Sequence, residues 1–141
     1  MRFFLDANVI IDLANEAQDA TTVKSHLRRI GYSNCALSAI TVEELQRGVL
    51  TGPAAKKGYE VRKLKALLAQ FRQIEFKPDA ARRAALVRVQ VESLKAVKGQ
   101  SPPGITDMLL AGHALSLGRA VATADAGFAI VDGLRAKNLR I

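Results

Sequence analysis

Four acidic residues, Asp6, Glu44, Asp107 and Asp125, occupy positions from which a folded chain could gather them. Asp6 follows the apolar run Phe3-Phe4-Leu5 directly, and Asp125 comes two residues after Thr123 in Ala122-Thr-Ala-Asp-Ala-Gly-Phe128. In an open parallel sheet, ligands collect at the carboxyl ends of the strands, so an acid placed there is a candidate site residue. Glu44 closes Thr41-Val-Glu-Glu44, and Asp107 follows Thr106 at an expected helix start. Carboxylates brought together repel one another unless protons or cations compensate them. Mg²⁺ or Mn²⁺ suits such a set, because hard cations prefer oxygen ligands and keep waters for substrate phosphates. The chemistry implied is phosphodiester hydrolysis. One ion lowers the pKa of an attacking water, and a second, about 3.5–4 Å away in two-metal sites, stabilises the leaving oxygen.

Each acid also has a local reading. Asp is a favoured N-cap and turn residue, which would account for Asp6 and Asp125. Thr41-Val-Glu-Glu44 spells a capping box, in which Glu44 reaches back to the backbone N–H of Thr41. Asp107 would complement a helix dipole. Asn8 either orients a neighbouring carboxylate or metal-bound water, or is a polar residue at a helix start. His26 and His113 have no His or Cys partner at metal-ligand spacing and are expected in surface or packing roles. Ser38 and Ser101 lack a nucleophile elbow, and Cys35 is expected as an inert buried thiol. Phosphate loops of the G-x-x-x-x-G-K-[ST] or G-x-G-x-x-G type are absent, which argues against an NTPase or a dinucleotide enzyme.

The elements that must position these residues alternate. Short apolar runs at 2–5, 34–38 and 120–123 read as buried strands, and 73–77 and 138–141 are weaker strand candidates. Helical periodicity covers 7–15, 20–30, 42–49 with Gly48 and Gly52 marking its exit, 54–71, 80–97 and 107–117. In the 54–71 helix Val61, Leu64, Leu67, Leu68 and Phe71 share a face, and in the 80–97 helix Ala84, Val87, Val91 and Leu94 do. These two are expected to form a basic helical pair over about 54–98, separated by Pro78 and Asp79. The segment Gln100-Ser-Pro-Pro-Gly104 is the clearest break. The fold class expected is α/β, a mostly parallel central sheet flanked by helices on both faces, in one domain over 1–141.

The chain has 141 residues and a formal charge of +8, with 49% hydrophobic and 24% charged residues, an ordinary globular composition. Between Arg47 and Lys98 thirteen Lys and Arg face four acids, whereas the rest has eight bases and nine acids. The excess positive charge is thus confined to the middle segment, as expected of a surface that meets phosphates. Arg47, Arg62 and Lys65 are its candidate contacts to such phosphates, against the alternative of solvated helix faces. With Asp6 where a signal peptide needs an apolar run, with no apolar stretch near about eighteen residues and with a single cysteine, a cytoplasmic setting away from membranes is expected.

Four blocks of the sequence resemble the motifs of PIN-domain nucleases. They are Phe4-Leu-Asp6-Ala-Asn8-Val-Ile-Ile; Ser38-Ala-Ile-Thr41-Val-Glu-Glu44-Leu-Gln-Arg-Gly48; Ile105-Thr-Asp107-Met-Leu-Leu-Ala-Gly-His-Ala-Leu-Ser-Leu-Gly118; and Val121-Ala-Thr123-Ala-Asp125-Ala-Gly-Phe128. They occur in the family's order and are most similar to those of VapC-type toxins of toxin–antitoxin modules. The resemblance implies that Asp6, Glu44, Asp107 and Asp125 are the catalytic, metal-binding acids. It makes Thr123 the hydroxyl residue accompanying the fourth acid, and selects Glu44 over Glu43 because Glu44 precedes Leu45. It further implies Mg²⁺- or Mn²⁺-dependent cleavage of RNA, a homodimer, and an antitoxin whose tail enters the acidic groove.

Two other functions compete. A haloacid-dehalogenase-like phosphohydrolase would use Asp6 as nucleophile, but such sites carry a second Asp two residues on, where this chain has Asn8. A non-catalytic RNA-binding or regulatory module would use the basic helices alone and leave the acids without a task.

Overall fold

Strands covered on both faces read as continuous apolar runs, and Phe3-Phe4-Leu5 is buried at every position. In the computed structural model, which describes residues 1–15, 19–52, 54–94 and 103–141 and, of 54–60, the backbone alone, five strands form one parallel sheet, the three central ones buried throughout and the two edge strands largely exposed. They are β1 (Phe3–Leu5), β2 (Cys35–Ser38), β3 (Arg72–Ile74), β4 (Ala120–Ala122) and β5 (Ala136–Lys137), in the order β3-β2-β1-β4-β5. Six helices connect and cover them: α1 (Ala7–Asn15), α2 (Ala20–Ile30), α3 (Ala39–Thr51), α4 (Ala54–Leu68), α5 (Pro78–Ser93) and α6 (Ile105–Ser116). The expected α/β class, with helices on both faces, is what the chain adopts.

Strand residues alternate between two cores because successive side chains point to opposite faces. Phe3, Leu5, Cys35 and Leu37 turn toward α1, α2, α3 and α4, where they meet Ile10, Leu27, Leu45 and Leu64. Phe4, Ala36 and Val121 turn the other way, onto Val87 of α5 and Leu110, Ala111 and Ala114 of α6. The chain end is tied in as well. Leu139 is buried, and Arg140 holds the buried Asp12 carboxylate of α1 in a two-pronged ion pair at 2.7 and 2.9 Å.

This layering corrects the expected basic helical pair. β3 passes between α4 and α5, and the two helices cover opposite faces of the sheet, Leu64 and Leu68 in one core and Val87 and Val91 in the other. The middle segment's charge is therefore spread around the molecule. Its end at 95–98, and residues 100–102 of the proline-containing break, lie outside the described residues.

Several boundaries also move. α3 begins at Ala39 and runs through Gly48 to Thr51, α4 stops at Leu68, and α5 occupies 78–93, with Pro78 at its first turn. β3 begins at Arg72 and β5 lies at 136–137, ahead of the expected 138–141. Val61 and Leu94 are exposed, since the face of α4 that reaches the core is Leu64 and Leu68, and since α5 has ended before Leu94. α5 and α6 cross tightly at Gly112, where a Cβ would stand 2.3 Å from the Ala84 Cα. Among the described residues no helix is long and apolar enough to cross a membrane.

Candidate active site

All five strands run in parallel, so their carboxyl ends form one edge, and Asp6 and Asp125 follow β1 and β4, which are paired neighbours. Asp6 is buried, and three groups fix its carboxylate. The Ala7 backbone N–H donates to Oδ1 at 2.8 Å, while the Thr123 hydroxyl and the Asn8 amide donate to Oδ2 at 2.8 and 3.2 Å. Asn8 also donates to the Thr123 hydroxyl at 3.2 Å and accepts from the Ala124 N–H at 3.2 Å, stitching the start of α1 to the loop after β4. Asn8 thus supports Asp6 in place of the second carboxylate that the phosphohydrolase alternative requires.

Thr123 faces both ways. Its hydroxyl donates to Asp6 and accepts from the Asp125 N–H at 3.0 Å, which sets the backbone from which the Asp125 side chain departs. Asp125 caps the short 3-10 turn 126–130 by accepting from the Gly127 N–H at 2.8 Å. The turn reading of Asp125 is realised, and its exposed carboxylate still acts on Asp6 and Asp107.

The capping reading of Glu44 is not. Ser38 caps α3, its hydroxyl accepting from the Ile40 N–H at 3.1 Å, and the buried Thr41 hydroxyl finds no partner. With the helix starting three residues early, Thr41 is interior and Glu44 is free to face the acids. Asp107 sits in the first turn of α6, after the capping residue Gly104.

The electrostatics show that the four acids share one neighbourhood. Burial raises the pKa of Asp6, and the Asp125 charge raises it further. Burial and then Asp6 do the same for Glu44. Asp107 is pushed up to about 7 by burial first, then by Asp6, Asp125 and Glu44. Arg47, ion-paired with Glu43 at 3.2 Å, offsets Glu44, whereas Asp6 and Asp107 are offset by hydrogen bonds alone. Arg62 and Lys65 are exposed on α4, three residues apart on one side of it.

Among the described residues no three of these groups converge closely enough to grip an ion in their present rotamers. The acids are neighbours by charge and not by contact. Their chemistry nevertheless fits a hard divalent cation, since an all-oxygen donor set, three of whose members are strained toward protonation, is relieved by positive charge.

Behind the acids lies a hydrogen-bonded tie that the sequence reading assigned only to packing. His113 of α6 is buried between Phe4, at 4.7 Å, and Phe76, at 5.2 Å between ring centroids. Its Nδ1 lies 2.8 Å from the Ser38 hydroxyl, and its other nitrogen is left to donate to the Glu75 carbonyl. The helix carrying Asp107 is thereby joined to the cap of the helix carrying Glu44. A Ser just ahead of a helix is a legible cap signal, but its second partner, 75 residues on, has none. Cys35 is buried with its pKa raised to about 11, which fits an inert thiol.

A family model described as PIN domain matches residues 3–134. No curated protein matches the chain. Among solved structures it is similar to a chain of FitAcB from Neisseria gonorrhoeae, with 26% identity, 97% of each chain covered and a TM-score of 0.81. It also resembles a chain of DNA-bound VapBC from Salmonella typhimurium, with 22% identity, 99% of this chain and 98% of that one covered, and a TM-score of 0.83. A third likeness is to VapBC-5 from Mycobacterium tuberculosis, a member of the VapBC family of toxin-antitoxin systems, with 26% identity, 74% and 81% covered, and a TM-score of 0.61.

Proposed function

The chain belongs to the PIN-domain family, and from that premise we propose that it is a metal-dependent ribonuclease, the toxin component of a toxin–antitoxin module. The observation that carries this reading is the coupling of four carboxylates from four separate stretches of the chain, each linked to at least one of the others. Such an arrangement is unfavourable in a merely structural role and useful where a cation and a phosphate must meet.

Asp6, Glu44, Asp107 and Asp125 would hold the ion, Mg²⁺ with Mn²⁺ as substitute. When bound, it supplies a water of lowered pKa and charge compensation at the scissile phosphate. Thr123 and Asn8 orient Asp6, so its carboxylate needs little rearrangement on loading. Arg47, whose charge acts on Glu44, is the first candidate to contact an RNA phosphate, with Arg62 and Lys65 as further candidates. The likeness to a member of the VapBC family of toxin-antitoxin systems supports an antitoxin partner; its tail is proposed to enter among the four acids, where an Arg would compete with the cation. A homodimer is the expected assembly.

The test is cleavage of structured and unpaired RNAs by the purified chain with Mg²⁺, Mn²⁺ or EDTA, beside Asp6→Asn and Asp107→Asn. Cleavage with either ion, lost in EDTA and in both variants, is expected. Cleavage that survives EDTA, or persists undiminished in both variants, sinks the reading, and RNA binding without cleavage favours a non-catalytic module.

A further inference from the structure

The opposite edge of the sheet, where the strands begin, carries a concentration of the other charge. Arg2 precedes β1, Arg72 opens β3 and Arg119 precedes β4. Phe4 pairs with Ala36 and Val121, and Ala36 pairs with Arg72, so Arg72 lies on the face covered by α5 and α6. Arg2 and Arg119 stand two positions before Phe4 and Val121 and share that face by the period of a strand. All three border a cavity of about 300 Å³, whose lining also includes Ile74, His113, Ser116 and Leu117.

This cluster is built rather than scattered. Arg119 is half-buried, donates to the Phe3 carbonyl at 3.2 Å and lays its guanidinium over the Phe4 ring, 5.2 Å from the centroid. Arg2 and Arg72 stand near enough that their charges, after burial, lower the pKa of Arg119. Among the described residues none of the three makes an ion pair. Two acids also line the cavity, and each has a base of its own: Glu75 pairs with Lys77, itself a lining residue, at 3.5 Å, and Asp79 pairs with Arg82 outside it.

With four bases (Arg2, Arg72, Arg119 and Lys77) against two acids in its lining, the cavity keeps an excess of positive charge that an anion relieves, and the forked donors of its three guanidiniums match the oxygens of a tetrahedral oxyanion. The volume is at the low end of small-ligand sites, enough for a phosphate with a sugar-sized substituent. We infer that the cavity between Arg2, Arg72 and Arg119 binds a phosphoryl group, carried by free phosphate or by a nucleotide-sized phosphate ester. The site is distinct from the acids. It lies at the other end of the strands, and carboxylates without a cation repel such a ligand.

Isothermal titration calorimetry in EDTA and low salt tests this, with inorganic phosphate, adenosine 5′-monophosphate and adenosine as probes. Both phosphate-bearing probes are expected to bind and adenosine is not. Affinity should fall at least about tenfold in Arg72→Gln and further in Arg2→Gln/Arg72→Gln, whose side chains are exposed and leave the core intact, and should be unchanged in Asp6→Asn. Tighter binding of the monophosphate identifies an ester as the ligand, and equal binding identifies free phosphate. Absence of phosphate binding up to about 10 mM, or binding indifferent to both arginine variants, overturns the assignment. The titration contains no divalent ion and no RNA, so its failure leaves the ribonuclease reading standing, and the reverse holds too.

Discussion

Thr123 donates its hydroxyl proton to Asp6 across 2.8 Å, although the two residues are 117 positions apart, and the same oxygen accepts from the Asp125 N–H. One hydroxyl therefore sets the rotamer of a buried acid and the backbone of an exposed one. Thr123→Val keeps the shape and removes both of these bonds together with the one from the Asn8 amide. RNA cleavage should fall by roughly 10–100-fold, and Thr123→Ser should recover most of it. Equal rates in the threonine and valine forms would show that Asp6 needs no such support.

Asp107, like Asp6 and Glu44 with their raised pKa values, contributes to the pH dependence of the metal-free chain. Its folded pKa of about 7 lies above its ordinary value of 3.8, so between those values the folded state holds a proton that the unfolded state has lost. Stability is then full below the unfolded value and declines as pH rises through the folded one. In EDTA, urea denaturation at pH 5 and pH 8 should show the chain losing more stability on going to pH 8 than Asp107→Asn does. Adding Mg²⁺ at pH 8 should narrow that gap, because a bound cation favours the ionised carboxylates.

His113 works in the opposite sense. Burial lowers its pKa first, so below about 6.5 the unfolded chain binds a proton that the folded one refuses. Its contribution to stability is intact above that pH and is lost as pH falls. A His113→Gln variant should be less stable than the parent at pH 8, having lost ring packing on Phe4 and Phe76, with the difference narrowing toward pH 5. A difference that stays constant from pH 8 to pH 5 would refute it.

Gly112 and Gly48 both lie inside helices but should respond oppositely to alanine. A Cβ at Gly112 meets the backbone of Ala84, whereas one at Gly48 meets nothing within 4 Å. Gly112→Ala should destabilise by about 1–3 kcal/mol as α5 and α6 are forced apart. Gly48→Ala should stabilise by about 0.5–1 kcal/mol, through the conformational freedom that alanine denies the unfolded chain. Denaturation midpoints for the pair check both signs.

Much of the architecture was legible because its signals are local. Uninterrupted apolar runs ending in Asp6 and in Thr123-Ala-Asp125 marked strands buried on both faces, with acids at their carboxyl ends. Helical periodicity found all six helices within a few residues. Boundaries slipped where two local signals competed. The capping box expected at Thr41 gives way to Ser38, on which β2 ends and whose hydroxyl also meets His113.

By itself, the sequence determined which residues could serve as strands, helices, metal-binding acids and phosphate-binding bases, since residue type and spacing decide those capacities. Only the tertiary structure decided which of them meet. Parallel pairing of β1 with β4 put Thr123 on Asp6, and the early start of α3 released Glu44 from the expected capping role. Passage of β3 through the middle of the chain split the expected basic pair between two faces, while strand register drew Arg2, Arg72 and Arg119 to one cavity. The physical reason is common to all of these. Electrostatic and hydrogen-bonded partners are chosen by distance in space, and in a parallel sheet that distance is set by crossovers and register, to which no local pattern of residues refers.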